Sequence, residues 1–526
     1  MKRIKYFKWT VLIAAPLLAL TLTGCKKFLD RKPLTGTYSD ANAGALDAQS
    51  FGLYSTLRTY AGFSSLPWLD FHSIRDDDAQ KGSSTTDGAE IDAEFETFKY
   101  TKDDWATDTY WNDHFTMISL ANQELHLADS LHVKDPASLR NVGEACFFRA
   151  YSYFELVKAY GDVPLLDFYS NNPSDYNVPK SPASKIYQLI DSDLNVAIQY
   201  LPETWNSGTT DYPGRVTNGA ARALAAQTHI FRSDWAAVKG YCSQIIASGK
   251  YSLLPNFVDI WKDGLNGVGK NSAESIFEEQ SWVGENGGFG PNPPYYGTAW
   301  GTSQQVRQGG APVTWNLGWG WNVPTQNLVD AWNAADSNDP RKFATILYSG
   351  QYDGGPATGG YGATLPPYNP GPGLDRPYWN KKVYSDPQMR TFTGEVGGAE
   401  WINHRIIRYA DVILMMAEAS NELGDGATAA DMVNMIRRRA RGSADSTKVL
   451  PPVVYTTQAA MRTAIKNERR WEFAMEGSRF YDLVRWGDAL SVLGGLGYQA
   501  KNALYPIPQP AIDLSGGKLV QNPLYP

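Results

Sequence analysis

A chain of 526 residues with 43% hydrophobic side chains is long enough for a large core and for more than one lobe. Its formal charge of −7 provides no electrostatic footprint for nucleic acid or anionic lipid, so its partners are neutral or read by shape. Three cysteines, with no metal-ligand spacing, exclude a disulfide framework or a zinc site as the basis of the fold.

The chain opens with Lys2, Arg3, Lys5 and Lys8, an apolar run from Val11 to Leu22, and then Leu22-Thr23-Gly24-Cys25. Charged, apolar and cleavage regions in that order are a secretory leader, residues 1–24. Leu-Thr-Gly-Cys fits a bacterial lipobox, which makes Cys25 the acylated first residue of the mature chain. Each buried acyl methylene contributes about 0.8 kcal/mol to membrane attachment. Pro16 breaks the leader's apolar run, and no later stretch approaches the roughly 20 apolar residues needed to span a bilayer.

Trp68 precedes Arg75-Asp76-Asp77-Asp78. Asp77 and Asp78 are candidate carboxylates for sugar hydroxyls, although three adjacent aspartates are more often a solvated turn or a cap. A calcium loop lacks the D-x-D-x-D-G spacing, and no cofactor is expected. Trp111, Phe115, Ile118, Asn122 and Leu125 mark one face of a helix, with Asn122 placed for a buried hydrogen bond between helices. Phe147, Ala150, Tyr151, Phe154 and Val157 mark a second helix, ended by Gly161 and Pro164.

From Ala220 to Ser248 the pattern is a helical hairpin turning at Ser233-Asp234, with Trp235, Val238, Cys242 and Ile245 on its second stripe. Val412, Met416, Ala419 and Leu423, then Gly424-Asp425-Gly426, then Ala429, Val433, Ile436 and Ala440 repeat that design. Cys146 and Cys242 fall within helical apolar patterns and read as buried free thiols in preference to a bridge. Paired helices with short turns resemble tetratricopeptide units without their strict period.

Glu279 to Trp332 and Gln351 to Trp379 are rich in Gly, Pro, Trp and Tyr and carry no helical period. Loops of that length are uncommon and usually functional, and their aromatic content argues against disorder. Trp300, Trp315, Trp319 and Trp321, with Tyr295 and Tyr296, are candidate ligand contacts. A flat aromatic face suits the C–H face of a sugar ring, and Tyr and Trp add a donor at the rim. The competing reading for any one of these rings is packing of loop onto body.

Glu468, Glu472 and Glu476 share a helical face and need cations, for which Arg437, Arg438, Arg439 and Arg441 are available. A salt-bridge network is favoured there over an acid/base pair. There is no G-x-S-x-G, H-E-x-x-H or phosphate loop, so no catalytic residues are assigned.

Gly143-Glu144-Ala145-Cys146-Phe147-Phe148-Arg149-Ala150-Tyr151-Ser152-Tyr153-Phe154-Glu155-Leu156, continuing to Tyr160-Gly161-Asp162-Val163-Pro164, strongly resembles the SusD/RagB family of outer-membrane nutrient-binding lipoproteins. Lys27-Phe28-Leu29-Asp30, Gly214-Arg215-Val216-Thr217, Arg408-Tyr409-Ala410-Asp411-Val412, Glu468-Arg469-Arg470-Trp471-Glu472, Glu476-Gly477-Ser478-Arg479-Phe480-Tyr481-Asp482-Leu483, Pro506-Ile507-Pro508 and Gln521-Asn522-Pro523 extend the resemblance over the mature chain. Cys146 replaces the family's more usual basic residue.

The resemblance implies a mainly α fold, with tetratricopeptide-like helical hairpins in residues 25–270 and a loop-rich, irregular region in 271–526. It places a binding loop after the aspartate triplet. It further implies a lipid-anchored receptor on the outer face of the outer membrane, an oligosaccharide or polysaccharide ligand, no catalysis, and a SusC-like TonB-dependent transporter as partner. A surface glycoside hydrolase and a peptide-binding or docking lid without glycan affinity are the alternative readings.

Overall fold

The computed structural model describes residues 46–525 apart from 60, 85, 89–93, 206–213, 265–266, 282–298, 308–314, 371–374 and 394–400. The leader, Cys25, Tyr295 and Tyr296 therefore lie outside the described residues.

The chain is mainly α. Helices α1 (Asp47–Thr59) and α2 (Leu66–His72) lead into the long pair α3 (Trp105–Ser130) and α4 (Pro136–Tyr160), which pack on each other. Next come α5 (Ala183–Tyr200) and the hairpin α6 (Asn218–Ile230) and α7 (Trp235–Ser248). After α8 (Ala299–Gln304) and α9 (Gln326–Asp336) a second hairpin follows, α10 (Tyr409–Glu422) and α11 (Gly426–Arg441), then α12 (Gln458–Phe473) and α13 (Arg479–Arg485). The two hairpins stack through α7 and α10, so helices from both halves of the chain share one core.

Local chemistry sets these boundaries. Asp135 accepts from Ser138 N at 2.8 Å with Pro136 at the first helical position, and α4 stops before Gly161. Asp234 caps α7 by accepting from Ala237 N, and Asp425 caps α11 by accepting from Thr428 N. Asn122 makes the buried contacts its place on the stripe implied, accepting from Arg149 Nη1 on α4 at 2.7 Å and donating to Leu166 O at 2.9 Å. Cys146 and Cys242 are free and buried.

The strands are short: β1 (Ala79–Gln80), β2 (Ser275–Glu279), β3 (Val323–Pro324), β4 (Ile346–Tyr348), β5 (Tyr378–Asn380) and β6 (His404–Arg408). They pair antiparallel, β1 with β3, β2 with β6 and β4 with β5.

The stretch from Glu279 to Trp332 departs from the expectation of pure loop, because α8 and most of α9 lie within it. Thr325 caps α9 by accepting from Leu328 N, and Leu328, Val329 and Trp332 are buried. That short apolar set is hard to see among the surrounding Gly, Pro and Trp. The second stretch is a loop organised by one carboxylate, since Asp353 accepts from the backbone N–H groups of Gly355, Tyr361, Gly362 and Ala363.

Glu468 and Glu472 lie on α12, but the helix ends at Phe473, so Glu476 stands in the turn beyond it and does not share their helical face; the three still form a network whose cations come largely from outside the predicted hairpin. Glu468 meets Arg341 and Arg437; Glu472 meets Arg341, Arg408 and Arg439; Glu476 meets Lys382 and Arg408. Arg441 instead donates to Leu450 O. Among the described residues no helix is long and apolar enough to cross a membrane, and no group of three or more His, Cys, Asp or Glu could hold a metal ion.

Candidate functional site

The predicted ligand-binding residues separate into a buried set and a half-buried set. Trp68 on α2 and Trp300 on α8 are only 5% and 6% exposed. Trp68 stacks on His72 at 4.3 Å, Trp300 stacks on His404 at 3.8 Å, and the two indoles meet edge to face at 5.0 Å. Both are spent on fastening the α8 segment to the helical body, the packing reading of their rings. Trp68 also walls an interior cavity of about 130 Å³ shared with His72, Glu155, Lys158, Arg469 and Tyr481. Polar groups there are paired: Glu155 lies 3.0 Å from the neutral His72 ring and 2.8 Å from the Lys158 ammonium, and Arg469 donates to Asp482 at 2.8 Å.

Asp77 and Asp78 likewise meet guanidinium groups where sugar hydroxyls were expected. Asp77 accepts from Arg479 Nε at 2.9 Å, and Asp78 accepts from Arg470 Nη2 at 2.5 Å. Asp77 is 8% exposed and Asp78 1%, so these carboxylates tie the segment before β1 to α12 and α13. The Arg479 and Arg470 bonds outweigh burial and hold the Asp77 carboxyl below its usual range.

Trp315, Trp319 and Trp321 are half-buried on the segment 315–321, where Asn316 makes an isolated antiparallel bridge to Arg307. Leu317 N donates to Val306 O, Trp319 N to Thr302 O and Trp321 N to Ser303 O, each at 2.8 Å, so this arm lies along α8. Trp315 stacks on Tyr384 at 6.3 Å, above a small core of Leu317, Val323, Leu347, Leu365 and Trp379. Trp319 and Trp321, two residues apart, bring their rings to 4.7 Å at 49°. They form a two-ring platform.

A close backbone crossing fixes this platform against the segment after β1. A Cβ at Gly82 would lie 2.1 Å from Gly320 O, and Gly320 has φ +67 with Trp379 and Arg307 directly behind it. Neither position admits a side chain without moving the tryptophan arm.

The crossing delivers Asp87 to the rim of the platform. Its Oδ2 accepts from Ser83 Oγ at 2.6 Å, from Trp321 Nε1 at 3.3 Å and from Arg307 Nη1. Arg307 Nη1 also donates to Ser83 Oγ at 3.0 Å, and Arg376 Nη2 donates to Ser83 O. Ser83 is held at φ +65, a left-handed conformation that a serine adopts only when its surroundings enforce it. Burial raises the Asp87 carboxyl, but the bonds from Ser83 and Trp321 and the Arg307 charge prevail and hold it below the usual carboxylate range. It is an ionised acceptor at neutral pH.

Asp87, Arg307 and Ser83 were not anticipated from the sequence. Ser83-Ser84-Thr85-Thr86-Asp87-Gly88 reads as a polar turn, and nothing local joins it to a tryptophan 234 positions later.

Residues 273–525 match the profile of the SusD family, and residues 66–230 match a profile described as starch-binding associating with outer membrane. SusD-like protein P2 of Formosa agariphila is 25% identical over 99% of this chain and 100% of its own length. A SusD-like protein of Bacteroides ovatus is 25% identical over 92% of this chain and 83% of its own length. Among solved structures, surface glycan-binding protein A from Bacteroides fluxus superposes with a TM-score of 0.72 at 25% identity, covering 92% of this chain and 100% of its own. A laminarin binding SusD-like protein superposes with a TM-score of 0.69 at 27% identity, covering 91% and 99%.

Proposed function

The chain belongs to the SusD/RagB family, and from that premise we propose that it is a cell-surface receptor that captures an oligosaccharide on Trp319 and Trp321 and delivers it to a SusC-like TonB-dependent transporter. The observation that carries the reading is the platform itself: two half-buried indoles 4.7 Å apart, bordered by an ionised carboxylate and a guanidinium. Indole faces take the apolar faces of sugar rings, while Asp87 and Arg307 accept from and donate to the hydroxyls. Relatives whose names state glycan or laminarin binding support this use of the fold.

Binding without catalysis is part of this reading, and the state of the carboxylate at the platform supports it. A glycosidase pairs an ionised carboxylate with a protonated one across the scissile bond, and the proton donor needs a raised pKa. Asp87 is held the opposite way by Arg307. Anchoring through acylated Cys25, and exposure on the outer face, complete the reading; the matched profile's description supports the outer membrane as the place. In this scheme residues 25–270 supply mostly scaffold, and residues 271–526 most of the binding face.

The test is binding of the chain that begins after Cys25 to a panel of oligosaccharides, with the mixtures analysed for shortened products. Retention without cleavage is expected. Trp319→Ala and Trp321→Ala should each weaken binding about 2- to 10-fold, the loss of one stacking contact. Shortened products, or silence across the panel, would overturn the proposal.

A further inference from the structure

We infer that the ligand of this site is an uncharged glycan presenting a free pair of adjacent hydroxyls, and that the Asp87–Arg307 pair sets that preference. This rests on the glycan reading above and names the class of glycan.

The ion pair leaves a matched acceptor and donor beside the platform. All three described hydrogen bonds to Asp87 fall on Oδ2, so Oδ1 carries none from the described residues. Arg307 spends Nη1 on Asp87 and Ser83, and its Nε and Nη2 donate to none of the described residues. Asp87 and Arg307 side chains are 32% and 27% exposed, so both remain within reach of a ligand. A carboxylate oxygen beside guanidinium N–H groups suits two neighbouring hydroxyls, one donating to Oδ1 and the next accepting from Arg307.

The same pair disfavours an acidic sugar. A uronate or sulfate on Nε and Nη2 of Arg307 would share that cation with Asp87 and set a second negative charge beside the Asp87 carboxylate. Arg376 offers no easy substitute, because Nη1 donates to Asp375 O and Nη2 to Ser83 O. The whole chain carries −7, which repels anions at low ionic strength. A neutral sugar meets none of these penalties.

The experiment measures affinities of the chain beginning after Cys25 for neutral gluco-, xylo- and manno-hexasaccharides and for hexagalacturonate, at low and physiological salt. At least one neutral hexasaccharide should bind 10-fold or more tightly than hexagalacturonate. Asp87→Asn, which frees the guanidinium, should narrow that ratio by about 10-fold, whereas Arg307→Gln should lose neutral affinity without gaining the acidic ligand. The unfolding temperature of each variant shows whether it folds. Tighter wild-type binding of hexagalacturonate overturns this inference and leaves the glycan reading standing. An unchanged ratio in a folded Asp87→Asn variant overturns the role of the pair. Binding of neither class overturns both.

Discussion

Glu472 is enclosed by Arg341, Arg408 and Arg439, and all four side chains are buried. Those cations outweigh burial and hold its carboxyl far below the usual glutamate range. Removing one member of such a cluster leaves uncompensated buried charge, which costs about 3–5 kcal/mol. Glu472→Ala should therefore lower the unfolding free energy by that amount in a denaturant titration, while breaking the exposed, solvent-screened pair of Lys448 with Asp445 should leave it nearly unchanged. At Glu472 the network is structural, because both carboxylate oxygens meet buried guanidinium groups. The contrast with Asp87 is one of exposure: both are ionised acceptors paired with arginine, but the Asp87 side chain is 32% exposed and its described hydrogen bonds all fall on Oδ2.

At the level of elements, helices were legible and the site was not. The stripe of Trp111, Ile118 and Asn122, the turn at Ser233-Asp234 and the stop before Gly161 appear where spacing and turn chemistry placed them. Each of those signals is local, within one helical turn or one cap. The tryptophans were visible as a cluster, but composition does not separate Trp300, stacked on His404, from Trp319 and Trp321. Their roles follow from where the chain crosses itself. Gly320 tests that dependence. Gly320→Ala must place a Cβ 3.0 Å from Trp379 at φ +67, so the tryptophan arm must shift. Glycan affinity should fall more than 10-fold while the unfolding free energy drops by about 1–3 kcal/mol. Full affinity in the variant would show that the crossing does not position the platform.

For the molecule as a whole, the interior between α2, α3 and β6 decides how it meets acid. His72, His114 and His404 are buried there, and burial lowers them to about 4, about 3 and about 3. Each stays neutral in the folded protein at pH values where the unfolded chain, titrating near 6.5, takes up a proton. Their contribution to stability is thus fully present above about pH 6.5 and falls as the pH drops toward the folded values. By pH 5 each histidine removes on the order of 2 kcal/mol, since one pKa unit is about 1.36 kcal/mol. Glu472 acts in a lower window: its depressed carboxyl stabilises the fold above the unfolded value near 4.5, and that contribution is lost only below it. The histidines therefore draw stability down between about pH 6.5 and 3, opposed by Glu124 and Asp113, whose carboxyls burial raises to about 8 and about 6, and the Glu472 loss follows below about 4.5. Relative to the wild type, His72→Gln should lose about 2 kcal/mol less stability between pH 7 and pH 5, whereas an unchanged difference between those two pH values would mean that His72 does not take up a proton on unfolding.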